Sequence, residues 1–118
     1  MARVARWRGP ATAMALAAAA ALAAPAPASA PKIVAIGDNY FGHDGHVHGV
    51  GVARGSVVRW IWTGRRRHNV TVIAGPQRFH SSTQRRGSFE HRMMRAGRYT
   101  VICTIHGRRD QSMTLMVR

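Results

Sequence analysis

The segment at residues 99–106 most constrains the fold, because it carries the chain's only cysteine at the end of a strand-like pattern. Its side chains alternate with a period of two, which places Tyr99, Val101 and Cys103 on one face. His106 follows three positions after the cysteine. Thiolate and imidazole together suit a soft metal such as copper, and a trigonal copper site needs one more histidine and a weak axial ligand.

A second histidine with the required surroundings lies far upstream. His68 shares its parity with Val70 and Val72, so it belongs to the face that supplies core residues. A single inward histidine is more often a hydrogen-bonded core residue than a ligand. The Cys-x-x-His motif downstream nevertheless makes His68 the candidate for the third ligand.

Alternation elsewhere in the chain predicts an all-β domain. We expect strands at residues 32–36, 50–53, 57–62 and 88–93, and a closing strand in which Met113, Leu115 and Val117 face inward. Turns recur about every eight to twelve residues, a spacing typical of an antiparallel β-sandwich. No helical period is visible outside the N-terminal segment.

The order of motifs along the chain resembles that of cupredoxins of the plastocyanin and pseudoazurin type. The resemblance covers about residues 33–117 and rests on Gly55, Val58, Trp60, His68, Asn69, Val70, Phe79, Ser81, Gly97, Tyr99, Cys103 and His106. It implies a Greek-key sandwich that holds one type 1 copper ion through His68, Cys103 and His106. It also implies that Asn69 braces the ligand loop by hydrogen bonding, a role outside the ligand set itself.

The axial ligand departs from the plastocyanin-like pattern, in which a methionine lies five positions after the second histidine. That position is Gln111 here, and Met113 lies two residues later, in phase with the core face of the closing strand. We expect Gln111 to be the axial ligand, because a glutamine oxygen is one of the weak axial donors. Met113 remains the alternative if the loop is remodelled.

The first thirty residues read as a secretory signal peptide. Three arginines precede an apolar run at residues 11–24, and small residues follow it, with Ala28 or Ala30 as the cleavage position. The apolar run is too short to span a bilayer, although an N-terminal anchor is the alternative. We therefore expect a leader at residues 1–30, a single domain at 31–118 without a transmembrane segment, and a periplasmic or otherwise extracytoplasmic location.

The charge of the chain predicts anionic partners. The formal net charge is +14, from 18 basic and 4 acidic residues, and cleavage after Ala30 would remove three arginines and leave +11. We expect an acidic redox partner protein or an anionic envelope surface, met at the end of the sandwich that carries the metal. The arginines nearest the predicted ligands are Arg65, Arg66, Arg67, Arg108 and Arg109. Nucleic acid is not expected, because no set of stacking aromatics accompanies the arginines, and we expect a monomer.

These features together predict a secreted type 1 copper protein that carries single electrons. The alternatives are a copper chaperone or storage module and a metal-free binding domain of the same fold. An enzyme is not expected, because multicopper oxidases flank their cysteine with histidines, whereas Ile102 and Thr104 flank Cys103. The glycine-rich loop that carries His43, His46 and His48 could hold a second metal ion, but we expect a solvated polar loop.

Overall fold

The computed structural model of the protein describes Gly9 and residues 29–42 and 49–118. The predicted leader, apart from Gly9, Ser29 and Ala30, and the three loop histidines lie outside the described residues. The described strands and helix are β1 (Lys32–Ile36), β2 (Phe41–Gly42), β3 (Gly49–Val52), β4 (Val57–Trp62), β5 (Thr71–Ala74), β6 (Ser88–Arg92), β7 (Gly97–Ile102), α1 (Gly107–Asp110) and β8 (Ser112–Val117). Within these ranges, no helix is long and apolar enough to cross a bilayer.

The strands form two four-stranded sheets, in the orders β2-β1-β4-β6 and β3-β8-β7-β5. The predicted all-β sandwich is confirmed, with one qualification about strand direction. β1 pairs with β4 in parallel, and β3 pairs with β8 in parallel, while the other described pairs are antiparallel. The chain crosses to the other sheet at β3 before β4 returns to the first, so a long connection lets β1 and β4 run in the same direction.

The core lies between the sheets and follows the period-2 pattern of the sequence. Val58, Trp60 and Trp62 of β4 point inward, as do Met113 and the later odd-numbered residues of β8. Burying each large apolar side chain contributes about 1.5–3 kcal/mol relative to leaving it in water. Met93 is also buried and its neighbour Met94 is exposed, as expected of adjacent residues on an extended chain.

Tyr99 fixes the start of β7, the strand that leads to the cysteine. Its hydroxyl donates a hydrogen bond to the Arg95 carbonyl at 2.7 Å, and burial of the side chain raises its pKa. The ring packs against Gly75, where an added Cβ would lie 2.7 Å from the ring. The φ of Gly75 is 144°, a value that also favours glycine. These contacts therefore fix the position of β7, the strand that leads to Cys103.

Candidate metal centre

Three potential metal ligands converge at one end of the sandwich. Cys103 comes directly after β7, His68 lies between β4 and β5, and His106 comes directly before α1. The cysteine Sγ lies 3.8 Å from His68 Nδ1 and 3.6 Å from His106 Nδ1, and one donor atom from each residue lies within 4.8 Å of the other two. His68 and Cys103 are fully buried, whereas His106 is partly exposed.

The two sulfur–nitrogen distances fit a metal ion placed between the three residues. Bonds of about 2.3 Å to sulfur and about 2.0 Å to nitrogen, about 120° apart, hold the two atoms about 3.7 Å from each other. The spacing therefore leaves room for an ion without displacement of the backbone. The donor set of one thiolate and two imidazoles is the set expected of a trigonal copper site.

The segment from Cys103 to Gln111 closes on itself through three backbone hydrogen bonds. The Gly107 N–H donates to the Cys103 carbonyl at 2.8 Å, and the Gln111 N–H donates to the Gly107 carbonyl at 3.0 Å. The Cys103 N–H donates in turn to the Gln111 carbonyl at 3.1 Å. Gly107 has a φ of 78°, in the left-handed region that favours glycine. The closed segment carries His106 back toward the cysteine.

Asp38 orients the His68 ring from the side opposite Cys103. His68 Nε2 lies 3.0 Å from Asp38 Oδ1, and Asp38 also accepts hydrogen bonds at 2.9 Å from the backbone N–H groups of Arg65 and Arg66. The hydrogen bond from His68, followed by that from Arg66, lowers the pKa of Asp38 from 3.8 to about 2. The carboxylate is thus ionised at neutral pH and can only accept, so Nε2 carries the proton. In the neutral ring Nδ1 is then the unprotonated nitrogen, and it faces Cys103.

Gln111 presents a buried amide oxygen that has no hydrogen-bond partner among the described residues. Its Nε2 donates to the Gly37 carbonyl at 2.7 Å and to the Tyr40 carbonyl at 3.1 Å. Because both acceptors are carbonyl oxygens, they determine which end of the amide is nitrogen. Leaving a buried oxygen unpaired costs about 1–3 kcal/mol, which makes this oxygen a candidate donor to a metal ion.

Met113, the alternative axial residue, lies in the core. Its sulfur accepts a hydrogen bond from the Trp60 indole N–H at 3.5 Å, and its side chain is almost fully buried between the sheets. A methionine so placed fills space between strands. Its thioether already accepts a hydrogen bond, whereas the Gln111 oxygen has no partner among the residues that the structure describes.

Asn69 joins the segment that carries His68 to the segment that carries Cys103. Its Oδ1 accepts from the Thr104 N–H at 3.0 Å and from the Thr71 hydroxyl at 2.9 Å. Its Nδ2 donates to the Thr104 hydroxyl at 2.7 Å and to the Thr83 hydroxyl at 3.0 Å. Both the oxygen and the nitrogen of this amide are thus hydrogen-bonded. The bracing role that the resemblance implied for Asn69 therefore has a structural basis.

Sequence reasoning missed Asp38. It follows β1 in a Gly-Asp-Asn turn, where an aspartate is an ordinary turn residue. Its contact with His68 joins residues 30 positions apart. Gly64 lies close to Asp38 in the fold, since an added Cβ there would overlap the Asp38 carboxylate, but the sequence shows only a glycine.

Three solved structures are similar to this chain in architecture. A purple cupredoxin from Nitrosopumilus maritimus is 22% identical, with 73% of this chain and 98% of that chain covered and a TM-score of 0.60. An oxidised methionine-to-leucine mutant of amicyanin is also 22% identical, with 77% and 85% covered and a TM-score of 0.60. The copper-containing nitrite reductase of Thermus scotoductus SA-01 is 17% identical over 75% of this chain, with a TM-score of 0.58, and the match spans only 22% of that enzyme.

Sequence comparison alone finds no such relation. No protein-family profile matches the chain, and no curated protein sequence matches it. At these identities the structural likeness concerns the fold, and the resemblance drawn from the sequence motifs is confirmed at that level. With eight strands in two sheets and a His-Cys-His cluster at one end of its described part, the chain has the cupredoxin fold.

Proposed function

We propose that the protein binds one copper ion in a type 1 site and carries single electrons outside the cytoplasm. The observation that supports this most directly is the convergence of Cys103, His68 and His106 within 4.8 Å. The unpaired oxygen of Gln111 would be the weak fourth donor that completes the set. When bound, copper supplies a centre that gains and loses one electron.

The surrounding residues suit such a role because they hold the donors in place. Asp38 fixes the His68 ring, Asn69 ties the two ligand-bearing segments together, and the backbone bonds around Gly107 fix the loop that carries His106. Donors that move little on a change of metal charge keep the reorganisation on electron transfer small. His106 is the ligand with solvent exposure, so electrons would enter and leave through its ring.

Titration of the metal-free protein with copper(II), followed by visible spectroscopy, tests this proposal. We expect one equivalent to produce an intense thiolate-to-copper absorption band, because Cys103 is the only thiol in the chain. Cys103→Ser should abolish the band, and His106→Ala should shift or weaken it. His80→Ala is the matched control, since His80 is exposed and outside the cluster, and it should leave the spectrum unchanged. A colourless wild-type protein at one equivalent of bound copper would refute the proposal.

The proposed carrier meets an acidic redox protein rather than acting as an enzyme on a small substrate. The support is the net charge of +14 and the exposure of Arg65, Arg66 and Arg67, directly before His68, and of Arg108 and Arg109 after His106. Positive charge near the exposed ligand steers an acidic partner toward it. The leader-like order of residues 1–30 supports an extracytoplasmic location.

A further inference from the structure

The outer face of the second sheet carries a polar groove of about 340 Å³. We name it the Arg98–Arg108 groove after the two cationic residues in its lining. Its lining residues are Arg98, Thr100, Arg108, Ser112, Thr114 and Met113, the last with its side chain buried in the core. It is separate from the copper ligands, but Arg108 lies in α1, directly after the loop that carries His106.

The strand register explains why the groove is lined with hydroxyl groups. Thr100 of β7 pairs with Thr114 of β8, and Ile102 pairs with Ser112, so the hydroxyl side chains occupy the face that alternation directs away from the core. On the neighbouring strand, β3, the residue opposite Thr114 is Gly49. Because glycine has no side chain, Gly49 does not cover the outer face of the sheet beside Thr114. The pattern leaves a polar surface at Ser112 and Thr114, beside the exposed Met116 that pairs with Arg98.

No ion pair within the described part of the chain neutralises the two arginines of the groove. The side chains of Arg98 and Arg108 are exposed and take part in no hydrogen bond or ion pair with described residues. Of the described acidic residues, Asp38 is bound to His68 and Glu90 pairs with Arg59 on the other sheet. Asp110, exposed in α1 two residues after Arg108, forms no ion pair with a described residue. None of the lining residues is acidic. The groove therefore presents two guanidinium groups and three hydroxyls, all of which can donate hydrogen bonds.

We propose that this groove binds the carboxylates of an extended acidic segment of the redox partner, a step that rests on the proposed electron-carrier function. Guanidinium groups bind carboxylates through two parallel hydrogen bonds, which fix orientation as well as attract charge. Arg98 lies near the start of β7 and Arg108 beyond its end. At about 3.4 Å per residue the strand between them measures about 14 Å, the length of about four extended residues.

The shape of the site favours a segment of chain over a lipid surface. A bilayer is broad and flat, so it would meet the projecting arginines without reaching the hydroxyls of Thr100, Ser112 and Thr114 between them. A single extended segment is narrow enough to contact both. Docking beside the segment from Cys103 to Gln111 would hold the partner next to His106 without covering the His106 ring.

Nuclear magnetic resonance titration with a hexaglutamate peptide tests the proposal, with the protein in its metal-free and copper(I) forms. We expect the largest amide shifts at the lining residues of the groove. Arg98→Glu/Arg108→Glu should raise the dissociation constant for the peptide about tenfold, a change of about 1.4 kcal/mol. The control is Arg54→Glu/Arg85→Glu, which reverses the same charge at two exposed arginines outside the groove and should change the constant less than about twofold.

Several outcomes would overturn the groove as a segment-binding site. Equal weakening in both double variants would show that only net charge matters. Inorganic phosphate that produces the same shifts at the same affinity would show a simple anion site. Vesicles of phosphatidylglycerol that compete for the lining residues, when the peptide does not bind them, would assign the surface to the membrane. Peptide binding does not require copper, so failure here is distinct from the colourless protein that would refute the electron-carrier function.

Discussion

At the residue scale, the proposed donation from the Gln111 oxygen would influence which oxidation state of copper the site favours. An amide oxygen is a harder donor than a thioether, so it stabilises copper(II) relative to copper(I). We predict that Gln111→Met raises the reduction potential, measured by protein-film voltammetry on the copper-loaded protein. The variant also loses the two bonds to the Gly37 and Tyr40 carbonyls, so its free energy of unfolding should fall by about 1–3 kcal/mol.

Met113→Leu provides the comparison for that prediction. It removes the acceptor of the buried Trp60 N–H, which should cost about 1–3 kcal/mol of stability, but it should leave the potential and the spectrum close to wild type. A spectrum that shifts in Met113→Leu and not in Gln111→Leu would reverse the assignment of the axial ligand.

The Asp38 carboxylate adds a second control on the potential. Its negative charge lies against the ring of His68 and favours the more highly charged copper(II) form. We predict that Asp38→Asn raises the potential and weakens metal binding by about 10–100-fold, the usual effect of losing a partner of a ligand histidine. Asp110→Asn is the control, because it removes the same charge from an exposed residue of α1. Equal shifts in the two variants would show a general charge effect without a role for the hydrogen bond.

The same residue predicts how the stability of the metal-free protein depends on pH. The folded-state pKa of Asp38 is lowered to about 2 from a reference of 3.8. Its contribution is therefore complete above about pH 4 and is lost as the pH falls toward 2. In urea denaturation, the difference in free energy of unfolding between wild type and Asp38→Asn should shrink over that interval. A difference that stays constant from pH 6 to pH 2 would contradict the assignment.

At the scale of loops and strands, Asn69 is the connection between the two ligand-bearing segments. We predict that Asn69→Ala lowers the free energy of unfolding by about 1–3 kcal/mol, because it breaks four hydrogen bonds and leaves polar groups without partners. Copper should also dissociate faster, as measured by transfer to a chelator. Thr83→Ala removes only one of these bonds and should have a smaller effect on both quantities.

The elements also show which features the sequence could and could not predict. Alternating side chains located β1 and β4 with their full bounds, since period 2 is a local property. The helix α1 was not predicted, because four residues are too few to show a helical period. The parallel pairing of β1 with β4 depends on the path of the chain between the sheets. The Asp38–His68 contact depends on that path as well, so neither could be read from a local pattern.

At the scale of the whole molecule, the excess of arginine should govern the rate at which partners meet. Electron transfer to an acidic acceptor should slow steeply with added salt, because screening acts over about 10 Å at 0.1 M ionic strength. We predict a shallower salt dependence for Arg66→Glu/Arg108→Glu, measured by stopped-flow kinetics. Arg54→Glu/Arg85→Glu carries the same net charge and should keep more of the wild-type slope. Identical slopes in the two double variants would show that charge near the ligands has no directional role.

The position of the candidate site between the sheets has a consequence for how the molecule comes apart. His68 is held by Trp62 of the first sheet and by Asp38 in the turn after β1. Cys103 and Gln111 flank the connection between two strands of the second sheet. An ion bound to both sides would make separation of the sheets at that end more costly, by about 4 kcal/mol when free metal exceeds the dissociation constant a thousandfold. The first local opening of the loaded protein would then move to the far end, near the turn at Arg54 and Gly55 that bonds to Arg118 and Met93. Metal occupancy would thus decide at which end proteases and hydrogen exchange first reach the backbone.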